Sequence, residues 1–161
     1  TIPSRTYPSV PCEIIHAGAK VNFKKVKGKT IKGAYQLEPT NVWDSALSFT
    51  ADMYKPGTHM CISFTGPYKH FKLSKGGAIL TDNEEAYMWF KRARYEGRSE
   101  KYYKEDDITF NGWNMYMTPE QAAHGLAMFQ NYPEHKEDQG ELNGYRDLTE
   151  FTVFKNCKTI Q

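Results

Sequence analysis

Cysteine is scarce in this sequence, and the three present, Cys12, Cys61 and Cys157, are odd in number and far apart. That spacing matches no zinc pattern and no paired disulfide framework, and it points to a reducing, cytoplasmic setting. Long apolar runs are missing as well. Nothing approaches the roughly 20 residues a membrane-spanning helix needs, and no signal-peptide pattern stands at the start, so no membrane role is expected. The five histidines, His16, His59, His70, His124 and His135, show no metal-ligand spacing, so no metal is expected. The Walker and Gly-x-Gly-x-x-Gly fingerprints and the Gly-x-Ser-x-Gly elbow are absent, which sets aside P-loop, dinucleotide-binding and elbow-type hydrolase chemistry. Net charge is only +2. The string Tyr68-Lys69-His70-Phe71-Lys72 interleaves rings and cations, yet so small a net charge argues against a nucleic-acid binder.

The chain has 161 residues, enough for a single domain, residues 1–161, with its own core. At 39% hydrophobic and 25% charged it has the balance of a globular domain, so fold reasoning applies throughout. Aromatics reach 14%, which calls for large rings in an interface or pocket as well as in a core. Charge is unevenly placed. Residues 1–81 carry a net +7 and residues 82–161 a net −5. The basic half suits a phosphorylated ligand, and the acidic half suits a basic partner surface.

The stretch His59–Asp82 organises the rest. Met60–Phe64 has the length of a buried strand, and Gly76-Gly77 opens a second one over Ala78–Leu80. Between them lies a loop carrying Lys69 and His70, with Ser63 at its start. Such a loop either displays solvated lysines or holds one amine rigidly at a sheet edge. Lys72 and Lys75 would favour a neutral amine there, and a neutral amine attacks carbonyls. Asn41-Val42-Trp43 leads into Asp44. A carboxylate at a strand end faces the crevice where α/β sheets bind ligands; the other reading makes Asp44 the N-cap of a helix over Ser45–Met53.

In the remaining chain, Thr1–Val10 reads as an extended arm and Cys12–Ile15 as a short strand. Lys20–Val26 reads as a second strand with Val21, Phe23 and Val26 inward, and Lys24–Lys32 as a basic hairpin-like segment around Gly28. Asp82 and Glu85 form a capping box for a helix that ends near Gly97, with Ala86, Trp89 or Phe90, and Ala93 on one face. Lys91, Arg92, Arg94 and Arg98 complement its dipole. Glu96–Phe110 reads as a mobile loop. Thr118, Pro119 and Gln121 mark an N-cap, a first helical residue and a closing box for a helix to about Gln130. Residues 132–161 read as a loosely packed tail, with Phe151–Phe154 packing back.

Taken in order, the Asp44 strand, the Ser63-to-Lys69 loop ending in Gly76-Gly77, and the run Gly112-Trp113-Asn114-Met115-Tyr116-Met117-Thr118 before a Gln-Ala-Ala helix resemble the DegT family of sugar aminotransferases. The resemblance implies an α/β fold: part of a fold type I aminotransferase large domain, a mixed or parallel sheet flanked by helices. It implies pyridoxal phosphate (PLP) as cofactor. Lys69 would hold it as a Schiff base, Asp44 would pair with its ring nitrogen, and Ser63 would meet its phosphate. Asn114 would reach the phosphate across a homodimer. The substrates implied are an amino donor, glutamate, and a keto nucleotide-sugar. The sequence departs from the family at three places. The Ser63–Lys69 gap is one residue longer than the family's usual spacing, which keeps Lys72 as second candidate. Leu47 and Tyr116 stand where the family has a polar residue and an arginine. Counterparts of the family's ring-stacking and phosphate-binding N-terminal segment and of its small C-terminal domain are missing from these residues. Two readings therefore stand: an aminotransferase, or a non-catalytic relative or fragment that keeps the fold and binds a ligand or partner subunit.

Overall fold

The elements follow one another as β1 (Ile2–Pro3), α1 (Ser9–His16), β2 (Asn22–Lys24), β3 (Gly33–Gln36), β4 (Val42–Leu47), β5 (His59–Ser63), β6 (Gly77–Leu80), α2 (Glu84–Ala93), α3 (Pro119–Phe129) and β7 (Lys158–Ile160). The structure, a computed structural model, describes residues 1–26, 31–67, 69–139 and 144–160. Its class is mixed α/β. One sheet has three parallel strands in the order β1-β2-β7, and a second has four strands in the order β3-β4-β5-β6.

The small sheet is held by packing. Ile2, Val21, Phe23, Leu148 and Phe154 form one buried cluster. Phe154 meets Phe23 edge-on, with ring centroids 5.8 Å apart. Val21 and Phe23 point inward as their alternation predicts, while Val26 is only half-buried. Thr1–Val10, expected as an arm, carries Ile2 into this core and buries Ser4 and Thr6. The expected tail likewise supplies Leu148, Phe154 and strand β7. The basic segment around Gly28 falls largely outside the described residues.

Cys12–Ile15 is helical, against the expected strand. Pro11 sits in the first turn of α1, where a missing N–H costs no internal hydrogen bond. Val10 and Ile14, four apart, pack on the core cluster. Gly18, at φ +77°, closes the helix. Its N–H donates to Ile15 O and that of Ala19 to Ile14 O, a Schellman ending.

Asp147 ties the tail to the arm. Burial alone would raise its carboxyl. The Thr149 N–H and hydroxyl and the Ser4 hydroxyl donate to it, Arg5 adds positive charge, and together they hold it below the ordinary value. A carboxyl depressed in the folded state stabilises above the unfolded value, about pH 4, and that contribution fades as pH falls through the lower folded value. Asp147→Ala is expected to cost about 2 kcal/mol at pH 7. The deficit should shrink below pH 4, read by urea denaturation across pH.

In the larger sheet β3 and β4 run antiparallel, β4 and β5 parallel, and β5 and β6 antiparallel. Residues 45–47 continue β4, so no helix begins at Ser45 and Asp44 is not an N-cap. It lies inside the strand rather than at its end. Phe49, just past the end of β4, and Phe64, just past the end of β5, join Phe71, Phe129 and Tyr132 in an aromatic cluster with centroid separations of 4.9 to 6.3 Å.

Asn83 caps α2, its Oδ1 accepting the Ala86 N–H at 2.8 Å. Asp82, expected in that role, instead accepts the Gly57 N–H at 2.9 Å. The stretch expected as a mobile loop is tied down. Arg92 donates to the Gly97 and Asp107 carbonyls, and Asp106 accepts from the Ser99 N–H and hydroxyl. Thr118 caps α3 by accepting the Gln121 N–H. No helix among the described residues is long and apolar enough to cross a membrane.

Candidate functional site

Strand register decides which side chains share a face. Asp44 is paired with Tyr35 on β3 and with Cys61 on β5. Paired residues on neighbouring strands point the same way, so the three form a row. Ser63, two residues past Cys61, lies on the same face at the end of β5. The opposite face buries Met60 and Ile62. The row is half-buried, so charge effects along it are less screened than in open water.

Asp44 is fixed at both oxygens. Its Oδ1 accepts the Ala46 N–H at 2.9 Å and its Oδ2 accepts the Tyr35 hydroxyl at 2.8 Å. A carboxylate offers about four acceptor directions, and the bonds from these described residues take two of them. Burial pushes the Cys61 thiol up, and the Asp44 charge adds to it. Tyr35 is raised by the same two causes in the same order. Both groups therefore stay neutral beside the carboxylate at pH 7.

The loop after Ser63 folds back on itself. Phe64 N–H donates to Gly76 O at 2.9 Å, and Leu73 N–H donates to Phe64 O at 3.0 Å. The Ser63 hydroxyl accepts the Thr65 N–H. Phe71 and Leu73 are buried anchors. Phe71 sits among the aromatic rings, and the Gln121 amide donates to the Leu73 and Lys75 carbonyls. Gln121 thus leaves the capping box half-made and clamps the loop to α3. Gly77 is required opposite Ser63, because a Cβ there would stand 2.2 Å from the Ile62 carbonyl oxygen.

This frame carries Lys69 and His70, both half-buried, just before the Phe71 anchor. His70 is held below its ordinary value, by burial first and then by the Lys136 charge. Its Nε2 is buried with no hydrogen-bond partner among the described residues. Lys72 is exposed and lines a pocket of about 370 Å³ with Thr118, Gln121 and His124. Asn114 is placed elsewhere, against the end of α2. It bridges to Tyr95, and its amide donates to Glu96. Among the described residues no cluster of His, Cys, Asp and Glu could hold a metal ion.

Asp44 and Ser63 are therefore brought to one face, and Lys69 to the loop that leaves that face. Tyr35, Thr6, Cys61 and Gln121 carry no sign in the sequence of a place at this site. Gln121 was visible there only as a capping residue, and Tyr35 gave no signal beyond one ring in a short run before Leu37.

Residues 53–149 match the model of the DegT/DnrJ/EryC1/StrS aminotransferase family. That is more than half of the chain, and the chain belongs to this family. Among solved structures it is similar to PseC of Helicobacter pylori, an aminotransferase involved in the biosynthesis of pseudoaminic acid, at 21% identity and a TM-score of 0.43. The likeness covers 78% of this chain and 29% of that one, so the present chain spans under a third of that relative. No curated protein matches.

Proposed function

We propose that this chain carries the cofactor-holding part of a PLP-dependent sugar aminotransferase, with Asp44, Ser63 and Lys69 as its working groups. The observation that carries the reading is the Asp44 carboxylate, fixed at both oxygens and paired with the strand that ends at Ser63. The donor set fits the group in kind. A carboxylate suits a protonated ring nitrogen, a hydroxyl suits a phosphate, and a lysine amine suits an aldehyde. When bound, PLP supplies the electron sink for the reaction.

Asp44 would pair with the ring nitrogen and hold a proton there. Lys69 would hold the cofactor through its amine, and its Nζ would serve as the group that takes up and gives back the proton of the donor's α-carbon. Ser63 binds phosphate. Asn114 would contribute from a second copy of the chain. A homodimer is the partner state that the family resemblance implies. Tyr87, Met88, Trp89, Trp113, Met115 and Tyr116, all close in sequence to α2 or Asn114, are exposed. The substrates proposed are glutamate and a keto nucleotide-sugar, in the cytoplasm, where Cys12, Cys61 and Cys157 stay free thiols.

The second reading, a non-catalytic relative that binds a ligand or partner subunit, is favoured by the Asn114 amide being taken up by Glu96 in the same chain. One titration separates the two. Purified protein mixed with PLP is expected to develop a near-visible band, and borohydride should then fix the label on Lys69. A band without amino transfer from glutamate supports the second reading. No band at all removes the cofactor assignment.

A further inference from the structure

Tyr35 ends a relay of hydroxyls on Asp44. A phenol has one proton, and here it goes to Asp44 Oδ2, 2.8 Å away. The Thr6 hydroxyl, 2.5 Å from the phenol oxygen, therefore donates to Tyr35. The order is Thr6 to Tyr35 to Asp44, drawn from three separate segments of the chain. Thr6 is 2% exposed, and the Tyr35 ring packs against the Ile2–Phe23 core cluster. Neither group is free to swing. The terminal torsion of an aspartate is broad and roughly two-fold. One bond from Ala46 N–H would leave the carboxylate plane free to turn about Oδ1, and the second, at Oδ2, stops it.

We propose that Tyr35, backed by Thr6, is a positioning residue: it sets the plane of the Asp44 carboxylate so that the carboxylate faces the ring nitrogen of bound PLP. This rests on the site reading above and deepens it. A tyrosine that only filled the core would not need its hydroxyl. A tyrosine that positions Asp44 does, because a charge-assisted hydrogen bond is stronger than a neutral one and fixes direction. The phenol keeps its proton through the neutral range, since burial and the adjacent carboxylate both oppose ionisation.

Tyr35→Phe keeps the ring and removes the donor. It is compared with the unaltered protein, Thr6→Val and Asp44→Asn. Three quantities are read: affinity for PLP by absorbance, the ¹⁵N shift of PLP labelled at its ring nitrogen, and the melting temperature without PLP. Tyr35→Phe is expected to bind PLP about tenfold more weakly, the loss of one hydrogen bond to a charged group. Its ring-nitrogen shift should move toward the neutral value, and Thr6→Val should move it the same way by less. A melting temperature that falls while affinity and ¹⁵N shift stay unchanged overturns the inference and leaves Tyr35 a packing residue. If Tyr35→Phe does not fold, Thr6→Val decides on the same two readouts. If the unaltered protein takes up no PLP, the site reading itself fails. If it binds PLP and Asp44→Asn changes nothing, the fault lies with Asp44, and the inference falls with it.

Discussion

Lys69→Ala is expected to abolish the PLP-dependent near-visible band and the borohydride label, and to lower amino transfer by about 10³-fold or more, since covalent attachment and the proton carrier go together. The position explains why no neighbour should replace it. Lys69 is half-buried in a loop pinned by buried Phe71 and Leu73 and clamped by Gln121. Lys72 is exposed and opens onto a pocket beside α3. Its neighbour Leu73 is tied by its N–H to Phe64 O, so Lys72 cannot turn inward without undoing the loop. Lys72→Ala should therefore keep the band. The reverse pattern, with the band surviving at position 69 and lost at 72, would transfer the site to Lys72. It would also mean that the extra residue after Ser63 shifts the attachment point.

What was legible in the sequence was local chemistry. Thr118 and Pro119 start α3 as their types require, and Val21 and Phe23 alternate into the core. The strand–loop–strand from His59 to Asp82 has its glycines where the backbones approach. These features are set by neighbours a few residues apart. Register and long-range pairing were not legible. Asp44 and Tyr35 are nine positions apart and meet only because β3 and β4 pair as they do, with a bulge between Gly33 and Tyr35. Thr6 meets Tyr35 across 29 positions. Asp82 looked like a cap by type and spacing, but Asn83 was one residue nearer the helix and Gly57 offered Asp82 another donor. Cys12–Ile15 looked like a strand because the tolerance of a helix first turn for proline, here Pro11, leaves no mark in the pattern. In each case the local signal was real and a tertiary partner chose between its two uses.

Phe23→Ala carries the largest expected stability effect, about 3–5 kcal/mol, a large share of the 5–15 kcal/mol typical of a whole domain. The strands of this sheet are only two or three residues long, so they contribute few backbone hydrogen bonds. Apolar packing must then hold β1, β2 and β7 together. Phe23 is 0% exposed and sits on the central strand, paired with Ile2 on one side and Thr159 on the other. Its ring meets Phe154, while Tyr35 and Leu37 pack on the same cluster. Removing it leaves a cavity that the β2 backbone, held on both sides, cannot close. Phe23→Leu, which keeps most of the volume, should cost about 1.5 kcal/mol or less. Phe23→Ala and Phe154→Ala should cost less together than the sum of their separate effects, because they lose one shared contact. Urea denaturation at constant m-value reads all three. A Phe23→Ala cost under about 1 kcal/mol would show that the cavity collapses freely and that the small sheet does not depend on this ring. The expected larger cost also reaches the site: Tyr35 rests on the same cluster, so loosening Phe23 should weaken PLP binding in a protein that still folds.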